Sequence, residues 1–116
     1  MRYLMLVYRD ERRWAETPAA EKEKLWVDCH TYGEEITRSG HLLAGAPLQP
    51  AATATTLRLH GGKLTMIDGP FAETKEVLAG YHLVECKDLD EAIAIGSRFP
   101  GLQVGSALEI RPVLQR

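Results

Sequence analysis

The sequence predicts an α+β domain whose elements run strand, helix, strands, strand, helix, strand. Three observations carry this. Residues 3–8 and 78–86 are almost wholly apolar, without the alternation of a half-exposed strand, which marks central strands covered on both faces. Two other segments place apolar residues at helical spacing. A Gly61-Gly62 pair separates two strand-like runs, the signal of a two-residue hairpin. This order is the split βαβ plan of a ferredoxin-like domain with an inserted β-hairpin.

With 116 residues the chain is expected to form a single domain over residues 1–116. That length supports a core without disulfides or a metal. Fourteen basic against sixteen acidic residues give a net charge of -2, which argues against a nucleic-acid partner. No apolar run approaches the roughly 20 residues of a membrane span. Met1 to Tyr8 is too short an apolar stretch for a secretory leader and lacks a small-residue cleavage site. Cys29 and Cys86 lie far apart with no C-x-x-C pair, which removes zinc and thioredoxin-type readings. Both are expected to be buried thiols of a cytoplasmic protein. There is no glycine-rich phosphate loop, so no nucleotide, flavin or nicotinamide cofactor is expected.

The first strand, 3–8, ends at Arg9-Asp10-Glu11-Arg12-Arg13, read as a solvated loop. Thr17 as N-cap and Pro18 in the first turn open a helix over roughly 18–39. Its apolar face is Leu25, Cys29, Tyr32 and Ile36, with Trp26, His30 and Gly33 as a neighbouring stripe. Gly40 closes it. His41 to Ala46 is a second strand, and Pro47 and Pro50 bracket the loop after it.

Residues 54–60 and 63–67 form the hairpin. A Gly61-Gly62 turn sets Leu59 opposite Leu64, Leu57 opposite Met66 and Arg58 opposite Thr65. The leucines and Met66 are expected on the buried side, with Asp68 on that side at the strand's end. Residues 78–86 follow as a central strand. Asp88 with Glu91 three positions on is a capping box. The second helix turns Leu89, Ala92, Ile93, Gly96 and Phe99 inward and stops at Pro100-Gly101. The last strand, 106–114, contains Pro112, which confines that part of it to an edge or a terminus. A sheet with helices on one face and apolar residues on both needs a second cover, and a face-to-face homodimer is the natural one.

The most distinctive stretch is Asp68-Gly69-Pro70-Phe71-Ala72-Glu73-Thr74-Lys75-Glu76, a charged turn between apolar strands. Together with Tyr3 to Tyr8, Ala54-Thr55-Thr56, Gly80-Tyr81 and Glu109 to Val113 it resembles the DGPF-type, YCII-related family. The resemblance covers nearly the whole chain and rests chiefly on the central motif. It implies a dimeric α+β barrel and a cytoplasmic bacterial protein. It also implies a His–Asp pair in the cleft between sheets, and kinship with a dehydrochlorinase acting on a ring substrate. Muconolactone isomerase has a similar barrel. Genes of this type are often found beside those of extracytoplasmic-function sigma factors, which makes a non-enzymatic ligand sensor or accessory protein the alternative reading.

Asp68 opens the matched motif and is the candidate acid or base. The competing reading is an Asp that accepts from the amides of Gly69 to Phe71 and holds the turn. His82, inside a central strand, is its candidate partner, set against a satisfied buried histidine. None of the four histidines falls in a matched histidine motif. Glu73, Lys75 and Glu76 are candidate ligand-binding residues, or a surface ion-pair set. Arg58 and Arg111 are candidates for a carboxylate ligand, with Arg111 also placed to pair with Glu109 two residues away. No metal-ligand spacing is present. The expected function is cofactor-independent proton transfer or elimination on a small acidic or aromatic compound, at a site between the sheets of a homodimer.

Overall fold

β1 lies in the middle of a four-stranded antiparallel sheet, as its apolar run requires. The computed structural model describes residues 1–116, arranged as β1 (Arg2–Asp10), α1 (Glu11–Ala15), α2 (Ala19–Arg38), β2 (Leu42–Pro47), β3 (Thr55–His60), β4 (Lys63–Asp68), β5 (Glu76–Glu85), α3 (Leu89–Gly96) and β6 (Ala107–Pro112). Short 3-10 turns occupy Ala51–Thr53 and Pro100–Val104. The strand order is β2-β5-β1-β6, and β3 and β4 form a separate two-stranded sheet. The protein is therefore α+β. The two unalternating runs are the two inner strands, and Pro112 sits on an edge, where no ladder bond is lost. No helix is long and apolar enough to cross a membrane.

Alternation within β1 divides the sheet into two faces. Tyr3, Met5 and Val7 are buried beneath the helices with Val84, Tyr32, Ile36, Ala92, Ile95 and Phe99. Burial of each large side chain contributes about 1.5–3 kcal/mol. On the other face Leu4 pairs with Leu83 and Leu6 with Tyr81, and these side chains are only half-buried. An apolar row therefore stands on the face that the helices leave open.

The hairpin register is as expected: Leu59 opposite Leu64, Leu57 opposite Met66, Arg58 opposite Thr65. Gly61 and Gly62 have φ of 57° and 79°, which the tight turn demands and only glycine takes without strain. The expected burial does not follow. Leu59 and Met66 are each 72% exposed, and Leu57 and Leu64 each 58%. The hairpin carries the right face but packs it on nothing in its own chain. The radius of gyration, 16.0 Å, exceeds the roughly 13 Å of a compact chain this long.

Three local expectations are corrected. Residues 9–13 are not a loop: β1 continues to Asp10, whose carboxylate accepts from the amides of Arg12 and Arg13 and caps α1. Thr17 does not cap α2, because its hydroxyl donates to the Arg13 carbonyl, and Pro18 is the N-cap residue. α3 ends at Gly96, with Ile95 buried and Leu89 and Ile93 exposed, and Pro100 begins a 3-10 turn. The Asp88 cap is present, its carboxylate accepting from the Glu91 amide at 2.9 Å. Gly40 follows α2 with φ of 82°.

Candidate functional site

α2 grips the core only through its C-terminal half, where Tyr32 and Ile36 are buried. Its N-terminal half contributes Leu25 and Cys29, both half-buried, and Trp26, which is 64% exposed. The helix therefore stands off the sheet at one end. The space left is a cleft of about 870 Å³ between α2, the inward face of the sheet, and the segment after β2. This volume falls within the roughly 300–1,000 Å³ of small-molecule sites.

The stripe Trp26, His30 and Gly33 lines this cleft, with nothing within 4 Å of where a Gly33 side chain would start. Val7, Leu42 and Phe99 add apolar wall. Gly45 lines it beside His82, and a Cβ there would lie 2.9 Å from the Tyr81 carbonyl oxygen and 3.0 Å from His82 Cδ2. Glycine is what lets β2 approach the histidine so closely.

His82 projects inward from β5, opposite Met5. Its ring meets Tyr32 and Phe99 edge-on, at centroid distances of 5.9 and 5.8 Å. Tyr32 and Phe99 meet each other at 5.8 Å, so three rings hold one another in place. The Nδ1 atom of His82 is occluded and has no hydrogen-bond partner. The expected satisfied histidine is thus not found. Burial alone pushes its pKa below the ordinary value, so the imidazole is neutral at pH 7.

Positive charge gathers at the other side of the cleft. The Arg9 guanidinium lies 4.4 Å from the centre of the Trp14 ring, and the Lys22 ammonium 5.4 Å from it. Such contacts contribute about 0.5–2 kcal/mol each. Burial lowers the pKa of Arg9, and nearby Glu11 opposes that effect. Glu11 is engaged elsewhere, its carboxylate accepting from the Ala51 amide at 3.0 Å. Lys24, Arg98 and Arg111 have carboxylate partners, but Arg9 and Lys22 form no ion pair. The Cys29 thiol is pushed up by burial first and Asp28 second, so it stays protonated and is a poor nucleophile. No group of three His, Cys, Asp or Glu side chains is placed to hold a metal ion.

Of the site residues expected from the sequence, Asp68, His82, Glu73, Lys75, Glu76, Arg58 and Arg111, only His82 reaches the cleft. Asp68 is exposed at the end of β4 and is paired with Thr55. Its turn is tied by other groups: the Gly69 amide donates to Ala54 at 2.6 Å, and the Thr56 hydroxyl donates to the Gly69 carbonyl at 2.9 Å. Glu73 and Lys75 are exposed on the connection into β5, and Glu76, also exposed, opens that strand opposite Asp10. The Arg58 guanidinium lies 5.2 Å from the Phe71 ring centre. Arg111 donates to Glu109 at 2.8 Å, the intrastrand pair that their spacing suggests. Asp68 and His82 are not brought together within the chain. Arg9, Trp14 and Lys22 were not singled out. Arg9 had a signal: it continues the inward series Tyr3, Met5, Val7, so a charge falls on the buried face.

The YCII-related domain family matches residues 1–115. The chain belongs to this family. The YCII-related chain is also 34% identical over 114 residues to an uncharacterised protein of Rhizobium meliloti (strain 1021), covering 97% of this chain and 92% of that one. The match runs through both halves of the cleft wall, from Arg9 to His82, as well as through the Asp68 turn.

Proposed function

We propose that this YCII-related protein is a homodimer that binds a small molecule in the cleft between α2 and the sheet and transfers a proton on it, as an isomerase or a lyase of the elimination type. The observation that carries this reading is His82: a neutral imidazole on the wall of a cleft of about 870 Å³, with Nδ1 occluded and Nε2 left as the nitrogen that can face a ligand. Neutral imidazole is the form a general base needs at pH 7. The aromatic cluster fixes the ring without using its nitrogens. The sequence carries no cofactor fingerprint, so the chemistry is assigned to side chains alone.

The strand order β2-β5-β1-β6 supports the ferredoxin-like plan, taken over the whole chain as one domain. The half-buried row on the open face and the exposed apolar face of the hairpin support the packing of two copies as an α+β barrel. A site between the two sheets would lie on the other side of the sheet from this cleft, and the geometry favours the cleft. No carboxylate acts on His82 within the chain, and Asp68, at the end of the hairpin outside the main sheet, partners it only where the hairpin of a second copy reaches round the sheet into the cleft. Arg58 and Arg111 already have partners, and Glu73, Lys75 and Glu76 are left as surface groups of the turn.

The same isolation of His82 favours a second reading, a ligand sensor that binds without turnover. A thermal-shift screen of wild type and His82→Phe against small carboxylic and phenolic compounds separates the two, with product analysis on each hit. Proton transfer at His82 requires a compound that stabilises both proteins and is converted by the wild type alone. Stabilisation without conversion selects the sensor. No stabilising compound, with no change in the fluorescence of Trp14 and Trp26, rules out the cleft.

A further inference from the structure

The geometry points to an anionic ligand with an aromatic or similarly flat apolar body, its carboxylate held by Arg9 and Lys22 beside Trp14. This inference rests on reading the cleft as the ligand site. The chain as a whole carries a net charge of -2, yet its cleft has three cations, Arg9, Lys22 and Arg38, against one carboxylate, Glu34. Glu34 is itself paired with His30 at 3.2 Å. A half-buried guanidinium without a carboxylate is unusual, because desolvating a charge without a partner costs several kcal/mol in general. Trp14 offsets part of that cost through its ring face, and Lys22 shares the same ring.

The Arg9 side chain makes no ion pair and donates to no acceptor within the chain, so its N–H fork is available to a planar acceptor in the cleft that it lines. A carboxylate matches that fork with two parallel hydrogen bonds. The rest of the cleft offers Trp26, Leu25 and Phe99 to an apolar body. Binding by the carboxylate would thus hold the body of the ligand in the part of the cleft that His82 borders.

Both tryptophans of the chain line the cleft, so their indole N–H signals report on it without a label. The probes are 1-naphthoate and its neutral isostere 1-naphthamide, titrated into ¹⁵N-labelled wild type, Arg9→Gln and Arg9→Lys. A carboxylate subsite requires that naphthoate shift both indole signals with an affinity about tenfold or more above that of naphthamide. Arg9→Gln should bring the two affinities together, and Arg9→Lys should restore part of the difference. Equal binding of the two probes by the wild type, or an equal loss of both in Arg9→Gln, overturns the subsite while leaving the cleft as a ligand site. If neither probe moves the indole signals, the cleft reading falls and the subsite with it.

Discussion

The Tyr32 hydroxyl donates to the Ile95 carbonyl oxygen at 2.9 Å, a buried bond that ties the middle of α2 to the last turn of α3. It fixes the point from which the N-terminal half of α2 diverges from the sheet. Removing the hydroxyl leaves the Ile95 carbonyl with the Arg98 amide alone, at 3.2 Å, so Tyr32→Phe should cost about 0.5–1.5 kcal/mol in urea unfolding.

The same residue sets an alkaline limit. Its pKa is pushed up from 10.0 to about 12, chiefly by burial. The unfolded chain loses this proton first, so the contribution is complete below pH 10 and is lost as pH rises towards 12. Across that window it amounts to about 2–3 kcal/mol. Tyr32→Phe should show a shallower loss of melting temperature above pH 10 than the wild type.

His82 sets the acid side. Burial lowers its pKa from 6.5, so the unfolded chain takes up the proton more readily than the folded one. Its contribution is complete above pH 6.5 and falls away as pH drops below that value. Melting temperatures taken between about pH 8 and pH 5 should fall less steeply for His82→Phe than for the wild type.

Gly33 separates the fold from the site. A methyl group there meets nothing within 4 Å, and the residue lies inside α2. Gly33→Ala should raise stability by about 0.5–1 kcal/mol through helix propensity, and its methyl group, entering the cleft, should lower ligand affinity far less than a larger side chain. Gly33→Leu should remain folded and lose ligand affinity by about tenfold or more, because its side chain fills the cleft. Calorimetry of unfolding and of ligand binding on the two variants checks both.

Asp68 and Gly69 have opposite expectations in stability. Asp68 is exposed and does not tie its turn, so Asp68→Asn should change stability by less than about 0.5 kcal/mol. Gly69 has a φ of 104°, which a side chain disfavours, and Gly69→Ala should cost about 1 kcal/mol or more. A large loss of melting temperature in Asp68→Asn would make it a turn-holding residue after all.

Leu83 lies on the open face opposite Leu4. If two copies pack there, Leu83→Glu buries a charge at their interface and should yield monomers by sedimentation velocity at micromolar concentration. The wild type should sediment as a dimer under the same conditions. A monomeric wild type would remove the homodimer.

Much of the architecture was legible in the sequence because it follows from local rules. Unalternating runs made the inner strands, Gly61-Gly62 set the hairpin register, Asp88 capped α3 and Pro112 took an edge. Each depends on neighbours within a few residues. The family was legible too, in the Asp68 to Glu76 motif and its companions, and the match over residues 1–115 bears it out. The cleft was not. It exists because α2 is anchored at one end only, and that follows from the contacts of Tyr32 and Ile36 with residues far along the chain. His82 acquires its neutral, unpartnered ring from the same packing, and Arg9 meets Trp14 only because β1 turns directly into α1. The apolar face of the hairpin was read from its pattern, but a pattern states which side chains need cover, not whether their own chain supplies it. Sequence spacing decided what each element is. Burial, charge and the meeting of distant side chains were decided by the tertiary structure, since each depends on atoms that spacing alone does not bring together.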